Sequence, residues 1–306
     1  MKKNNLKGSL ILCLTALIWG LAFVAQTEAS DKIPPFAFNS IRSFIGAAFL
    51  LLLLLISGKR KNEEIIPKTA KEKKEMIIGG IVCGVMLFIS VNLQQTGLTS
   101  YPSGVAAAAR GGFLTALYVV IVPVISIFLG RKPSLAVFSA VGIAIVGIYM
   151  LCMTTGFEGI YIGDILMMLC ALAFSIHIFT VDRFGEKVGG IKLSFIQFLV
   201  CGAVSGIVSL FVENLKFANV LAAAPQILYL GIMSSGIAYT LQIIGQNYAE
   251  PAVASLSMSL ESVFAALGGW IILKNRLSLR EIAGCALVFV AIILAQLPEM
   301  IKKEKV

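Results

Sequence analysis

Apolar residues run through the chain in ten long stretches, separated by short polar, glycine- or proline-bearing breaks. Each stretch approaches the roughly 20 residues a helix needs to cross a hydrocarbon core. The pattern predicts spanning helices near 8–28, 36–57, 76–97, 101–129 and 135–153. After a break at 154–158 it resumes near 161–182, 190–212, 226–248, 251–273 and 279–297. Residues 58–75, between the second and third spans, hold seven Lys or Arg and four Glu and read as a solvated loop. Lys2, Lys3 and Lys7 precede the first apolar run, as in a signal peptide. Because the same pattern recurs downstream, that run is read as a retained helix.

The two sets of five spans resemble each other. Gly8 and Ala16-Leu17 align with Gly163 and Ala171-Leu172, and Gly46-Ala47 with Gly202-Ala203. Gly80 and Gln95 align with Gly231 and Gln246. Five is odd, so a second copy enters the membrane from the opposite side, the inverted arrangement of many transporters. The expected fold is an all-α membrane protein of ten transmembrane helices in two inverted five-helix repeats. The first covers 1–153, the linker 154–158, and the second 159–306 with a short basic tail.

Charge sets the orientation. With the N-terminus inside, the inner segments hold 18 Lys or Arg and the outer ones five, while Arg42 and Arg110 fall within spans. The basic excess predicts both termini in the cytoplasm. The cluster Lys274-Asn-Arg276 before the last span lies on the wrong side of that rule. Composition agrees: 58% of residues are hydrophobic and 13% charged, against roughly 25% in a soluble domain. The net charge of +9 is accounted for by loops and tails, so no nucleic-acid partner is expected. The six cysteines all fall in apolar runs without Cys-x-x-Cys spacing and read as small packing residues.

Ionisable groups at membrane depth mark candidate sites, because each costs roughly 2.5–3.5 kcal/mol on insertion scales. They are Arg42, Arg110, His177 and Glu261. Arg110 stands among alanines and glycines in the fourth span and is the candidate anchor for a substrate carboxylate. Its natural counter-ion is Glu261 in the ninth span, the equivalent of the fourth. Tyr239, Gln242 and Gln246 share one helical face, as do Asn92 and Gln95, so both faces are candidate cavity linings. Hydrogen bonding between helices is the structural alternative. Trp19 and Tyr118 are candidate aromatic walls. His177, the single histidine, and Glu261 are candidates for proton coupling; a buried neutral imidazole held by a neighbour is the alternative for the former. No enzyme motif, phosphate loop, metal-ligand set or cofactor signature is present.

Several motifs carry a resemblance. They are Leu17-Ile-Trp19-Gly20-Leu-Ala-Phe and Asn39-Ser-Ile-Arg42-Ser-Phe-Ile-Gly46-Ala, then Gly112-Phe-Leu-Thr-Ala-Leu-Tyr118 through Pro123. Leu260-Glu261-Ser262-Val-Phe and Leu277-Ser-Leu-Arg-Glu-Ile-Ala-Gly284 follow. As an ordered set they resemble the EamA family of the drug/metabolite transporter superfamily. The chain departs from that pattern at Ser262, where the family often has proline, and at Lys274-Asn275, where it often has Gly-Glu. The resemblance implies two inverted five-helix repeats, with a cavity lined by spans 1, 3, 4, 6, 8 and 9. It also implies export of amino acids, other small metabolites or drugs. The expected function is a secondary transporter in the plasma membrane, contacting lipid and a small-molecule substrate, with a homodimer left open. An intramembrane enzyme acting on lipid or isoprenoid substrates, or a passive channel, is the alternative.

Overall fold

The computed structural model describes residues 5–61, 69–102, 107–153, 160–273 and 278–303. The linker 154–158, the basic pair Lys274 and Arg276, and Lys2 and Lys3 lie outside the described residues. All regular structure among those described is helical. Eight stretches are long and apolar enough to cross a bilayer. Five are single helices: α1 (Asn5–Ser30), α2 (Pro35–Lys61), α3 (Ala70–Thr99), α7 (Ile162–Val188) and α8 (Gly190–Val212).

The other three stretches are interrupted, which the hydropathy pattern did not predict. Gly111–Phe128 is built from α4 (Ala107–Ala116) and α5 (Tyr118–Phe128). Ala224–Tyr248 joins α10 (Ala224–Tyr229), a π-helical segment Leu230–Ala238 and α11 (Tyr239–Tyr248). Pro251–Gly268 joins α12 (Pro251–Met258) to α13 (Leu260–Leu273). Two further helices are α6 (Leu135–Cys152), with a shorter apolar run Leu135–Met150, and α14 (Leu279–Lys303). A short α9 (Phe217–Ala222), also unforeseen, lies in the connection between α8 and α10.

Burial is arranged for lipid. Leu51, Leu52, Leu55 and Ile56 of α2 are exposed, as are Leu210 and Phe211 of α8. Asn39, Gln95, His177 and Gln197 are wholly buried. Such an apolar exterior is a liability in water. In a bilayer the tails solvate it, while polar side chains find one another inside. The protein is a multi-pass membrane protein.

The packing joins the halves. α1 lies along the π segment, α11, α12 and α13, and α7 lies along α3, α4 and α5. α2 packs on α8, α6 on α14, α3 on α8, and α2 on the π segment. Glycine makes the closest approaches possible. A Cβ on Gly20 would fall 2.5 Å from Phe264 Cβ, and one on Gly8 2.6 Å from Ala249 Cβ. At α8's far end Glu213 accepts from the backbone N–H groups of Phe36 and Ala37, each at 2.8 Å. It thereby satisfies two of the orphan donors that every helix start presents.

Candidate functional site

A cavity of about 560 Å³, counted to its mouth, lies inside the bundle. One wall is a single face of α1, where Trp19, Ala22, Phe23 and Gln26 recur at helical spacing. Phe174 and Ile178, four residues apart on α7, form another. Thr115 of α4, Tyr118 of α5, Ser234 of the π segment and Met258 of α12 complete most of the lining. Trp19 and Tyr239 meet at a tilt of 58° with ring centroids 4.7 Å apart, and Phe198 meets Tyr239 edge-on at 5.3 Å.

The interrupted spans bring their breaks to this cavity. Leu117 separates α4 from α5 with αR backbone but no side-chain cap, and Tyr118 follows it. Ser259 separates α12 from α13, and Glu261 lies in the first turn of α13. An acid in that position is favoured by the N–H groups and the dipole of the helix start. The Tyr118 hydroxyl donates to Glu261 Oε1 at 3.2 Å. In span eight, the Tyr239 N–H bonds back to Ser234 O, a π turn that brings Ser234 to the cavity wall just before Tyr239 and Gln242. Discontinuous helices of this kind free backbone and polar groups at the midplane of many carriers.

Of the residues predicted as site members, Trp19, Tyr118, Tyr239, Gln242 and Glu261 line the cavity. Trp19 Nε1 and Gln242 Oε1 are buried without a hydrogen-bond partner, one a donor and one an acceptor. Asn92, Gln95, Gln246 and His177 are placed behind the wall. Asn92 donates to Phe88 O at 2.8 Å and Ser205 Oγ at 2.9 Å. Gln95 donates to Gln26 O at 3.4 Å, and Gln246 to Ile178 O at 3.1 Å. His177 Nε2 is 3.1 Å from Gln197 Oε1, with its ring edge-on to Tyr239 at 6.3 Å. The side chain of Arg110 lies outside the described residues.

Sequence reasoning missed ten of the fifteen lining residues, Gln26, Gln94, Thr115 and Arg42 among them. Gln26 donates to Gln94 Oε1 at 2.9 Å across α1 and α3 in the cavity lining. Both are polar residues within apolar runs, a visible signal, but helix rotation decides that Gln94 and not Gln95 faces inward. Thr115 lies between the fourth span's glycines and Tyr118. Arg42 was recognised as an ionisable group at depth without being given a role; it is buried and lines the cavity from α2.

The model of the EamA-like transporter family matches residues 6–153 and again 161–297. The chain belongs to the EamA-like transporter family. It is 30% identical over 299 residues to a protein of Archaeoglobus fulgidus described as an uncharacterized transporter. That match covers 96% of this chain and 87% of the relative. It is 25% identical over 281 residues to the uncharacterized transporter YoaV of Bacillus subtilis, covering 89% and 90%. A solved crystal structure with 20% identity superposes with a TM-score of 0.74 over 95% of this chain and 96% of that one, a likeness of fold. The EamA-like chain is a membrane transporter, and its cavity is the candidate transport site.

Proposed function

We propose that this protein is a secondary active transporter of the plasma membrane that exports small metabolites, amino acids first among them, by alternating access. The reading takes α6 and α14 as two further spans, which makes ten in two inverted repeats with both termini in the cytoplasm. The family model's two matches support the repeats. So does the packing: exchanging spans one to five for six to ten turns α1 on α12 and α13 into α7 on α4 and α5. It likewise turns α3 on α8 into α2 on the π segment.

The carrying observation is a cavity within an apolar bundle, lined by polar and charged side chains beside aromatic ones. At the start of α1, Glu250 N donates to Asn5 Oδ1 at 3.0 Å and Ser257 Oγ donates to Ser9 Oγ at 2.9 Å. Gly8 abuts Gly245 and Ala249 there, and Lys7 Nζ caps the Tyr248 ring at 4.1 Å. This end is the cytoplasmic one in the proposed orientation, and these contacts would close it in an outward-open state. Glu261 is the coupling group by position: it lines the cavity, whereas His177 stands behind Tyr239. Rocking the repeats would break the α1 seal and close the Gln26–Gln94 side.

The test is counterflow of labelled amino acids in proteoliposomes. Saturable, trans-stimulated exchange is expected. Conductance without saturation points instead to a channel, and failure to exchange any amino acid, sugar, amine or drug-like cation overturns the carrier reading.

A further inference from the structure

We propose that Arg42 binds the carboxylate of a zwitterionic substrate in the cavity, with Glu261 receiving its cationic end. The proposal rests on the carrier reading only in treating the bound molecule as cargo.

Arg42 is 4% exposed. Its Nε donates to Asn39 Oδ1 at 2.8 Å. Asn39 is held in turn, donating to Val91 O at 3.1 Å and to Asn92 Oδ1 at 3.0 Å. Asn92 continues the chain to Ser205 on α8. These amides cross from α2 through α3 to α8 and fix one edge of the guanidinium. They use one of its five N–H donors. Arg42 is itself a lining residue of the cavity.

Among the described residues no carboxylate comes within ion-pair distance of Arg42. A buried cation with a rigid mount and no anion is expensive unless a ligand completes it. A guanidinium edge matches a carboxylate bidentately. The remaining lining fits one charge of each sign. Glu261 supplies the one carboxyl among the described lining residues, and Tyr239 lines the cavity with it. A dianion such as a phosphomonoester would meet one cation, Arg42, among the described lining residues, beside the Glu261 carboxyl. Trp19 Nε1 and Gln242 Oε1 stand ready as a neutral donor and acceptor. The rings of Trp19, Phe23 and Phe174 supply apolar walls for a side chain.

The experiment measures the unfolding midpoint of the full chain in lipid nanodiscs, a readout independent of flux. The probes are the twenty proteinogenic L-amino acids, each against its α-carboxamide, together with glucose 6-phosphate. In wild type at least one amino acid is expected to stabilise at concentrations where its amide does not. Arg42→Gln should weaken that amino acid about 10- to 100-fold, the worth of a charge-assisted hydrogen bond, and leave the amide unchanged. Arg42→Lys should fall between them, and serves as the decisive variant if the glutamine protein does not fold. Equal binding of acid and amide by wild type overturns the proposal, as does an acid preference that survives Arg42→Gln. Stabilisation by the phosphomonoester alone overturns it too. Loss of the preference in Arg110→Gln but not in Arg42→Gln moves the carboxylate to Arg110 and equally overturns it. A preference lost in Arg42→Gln in a protein without counterflow would uphold the site and sink the carrier reading.

Discussion

Tyr118 and Glu261 are hydrogen-bonded to each other from the two helix breaks that flank the cavity, 143 positions apart in the chain. Each stands just past the point where its span loses regular α-helix, at Leu117 and at Ser259. The bond therefore joins two weak points of the scaffold, where a change of shape costs least.

That placement separates the charge of Glu261 from its structural bond. Glu261→Gln retains an acceptor for Tyr118 and should fold normally. Counterflow should persist with weakened apparent affinity, because the substrate's cationic end loses its charged partner, while accumulation driven by a proton gradient should be lost. Tyr118→Phe removes the donor and should lower stability by about 1–3 kcal/mol, read as the unfolding midpoint in nanodiscs. If Glu261→Gln still accumulates substrate against a gradient, Glu261 is not the coupling group.

Close packing of α1 makes a sharper structural forecast. Gly20→Val places carbon where Phe264 Cβ and Glu261 O already lie, within 2.7 Å. The cost should be at least about 3 kcal/mol, the upper range for overpacking, and the folded yield should collapse. Gly142→Ala on α6 meets nothing within 4 Å and should be neutral or stabilising by up to about 1 kcal/mol. Similar yields from the two variants would contradict the described fit of α1.

Glu213 joins the end of α8 to the start of α2. Ser209 Oγ donates to its Oε2 at 2.8 Å, so both carboxylate oxygens are engaged. Glu213→Ala should cost about 1–3 kcal/mol by stripping two helix-start donors of their acceptor. Glu213→Gln, with one acceptor oxygen, should lose about half as much. Midpoints for the two variants in the same nanodiscs check the order.

Orientation is open to a direct assay. Lys71→Cys at the start of α3 should react with membrane-impermeant maleimide only from the cytoplasmic side. Lys216→Cys, just before α9, should react only from outside. The reverse pattern in intact cells and inverted vesicles would overturn the charge-based topology.

The spans were legible because lipid demands apolar length, and that demand is local to each stretch. The breaks at Leu117 and Ser259 were not: neither is a proline or glycine, and the π turn at Leu230–Ala238 carries no hydropathy mark. The α1 face beginning at Trp19 could have been read from its spacing, as Tyr239 and Gln242 were. Asn92 shows the limit. Its polarity was visible, but its partners Asn39 and Ser205 lie 53 and 113 positions away, so a wall-bracing amide looked the same as a cavity-lining one. Arg42 and Arg110 carried equal signals as charges at depth. The amide mount beneath Arg42 exists only once α2, α3 and α8 meet.

The glycine contacts of α1 bear on how the protein is made. Gly8 fits against Gly245 and Ala249, and Gly20 against Phe264 and Ala265. α1 thus packs on segments that leave the ribosome about 240 residues later. At about 5–20 residues per second that is a delay of roughly 10–50 s. Until then α1 must sit in the bilayer with its small-residue face unfilled, available to insertion chaperones or to wrong neighbours. Because α1 and α7 each pack on helices of the other half, a ribosome that stalls midway should release a substrate for membrane proteases.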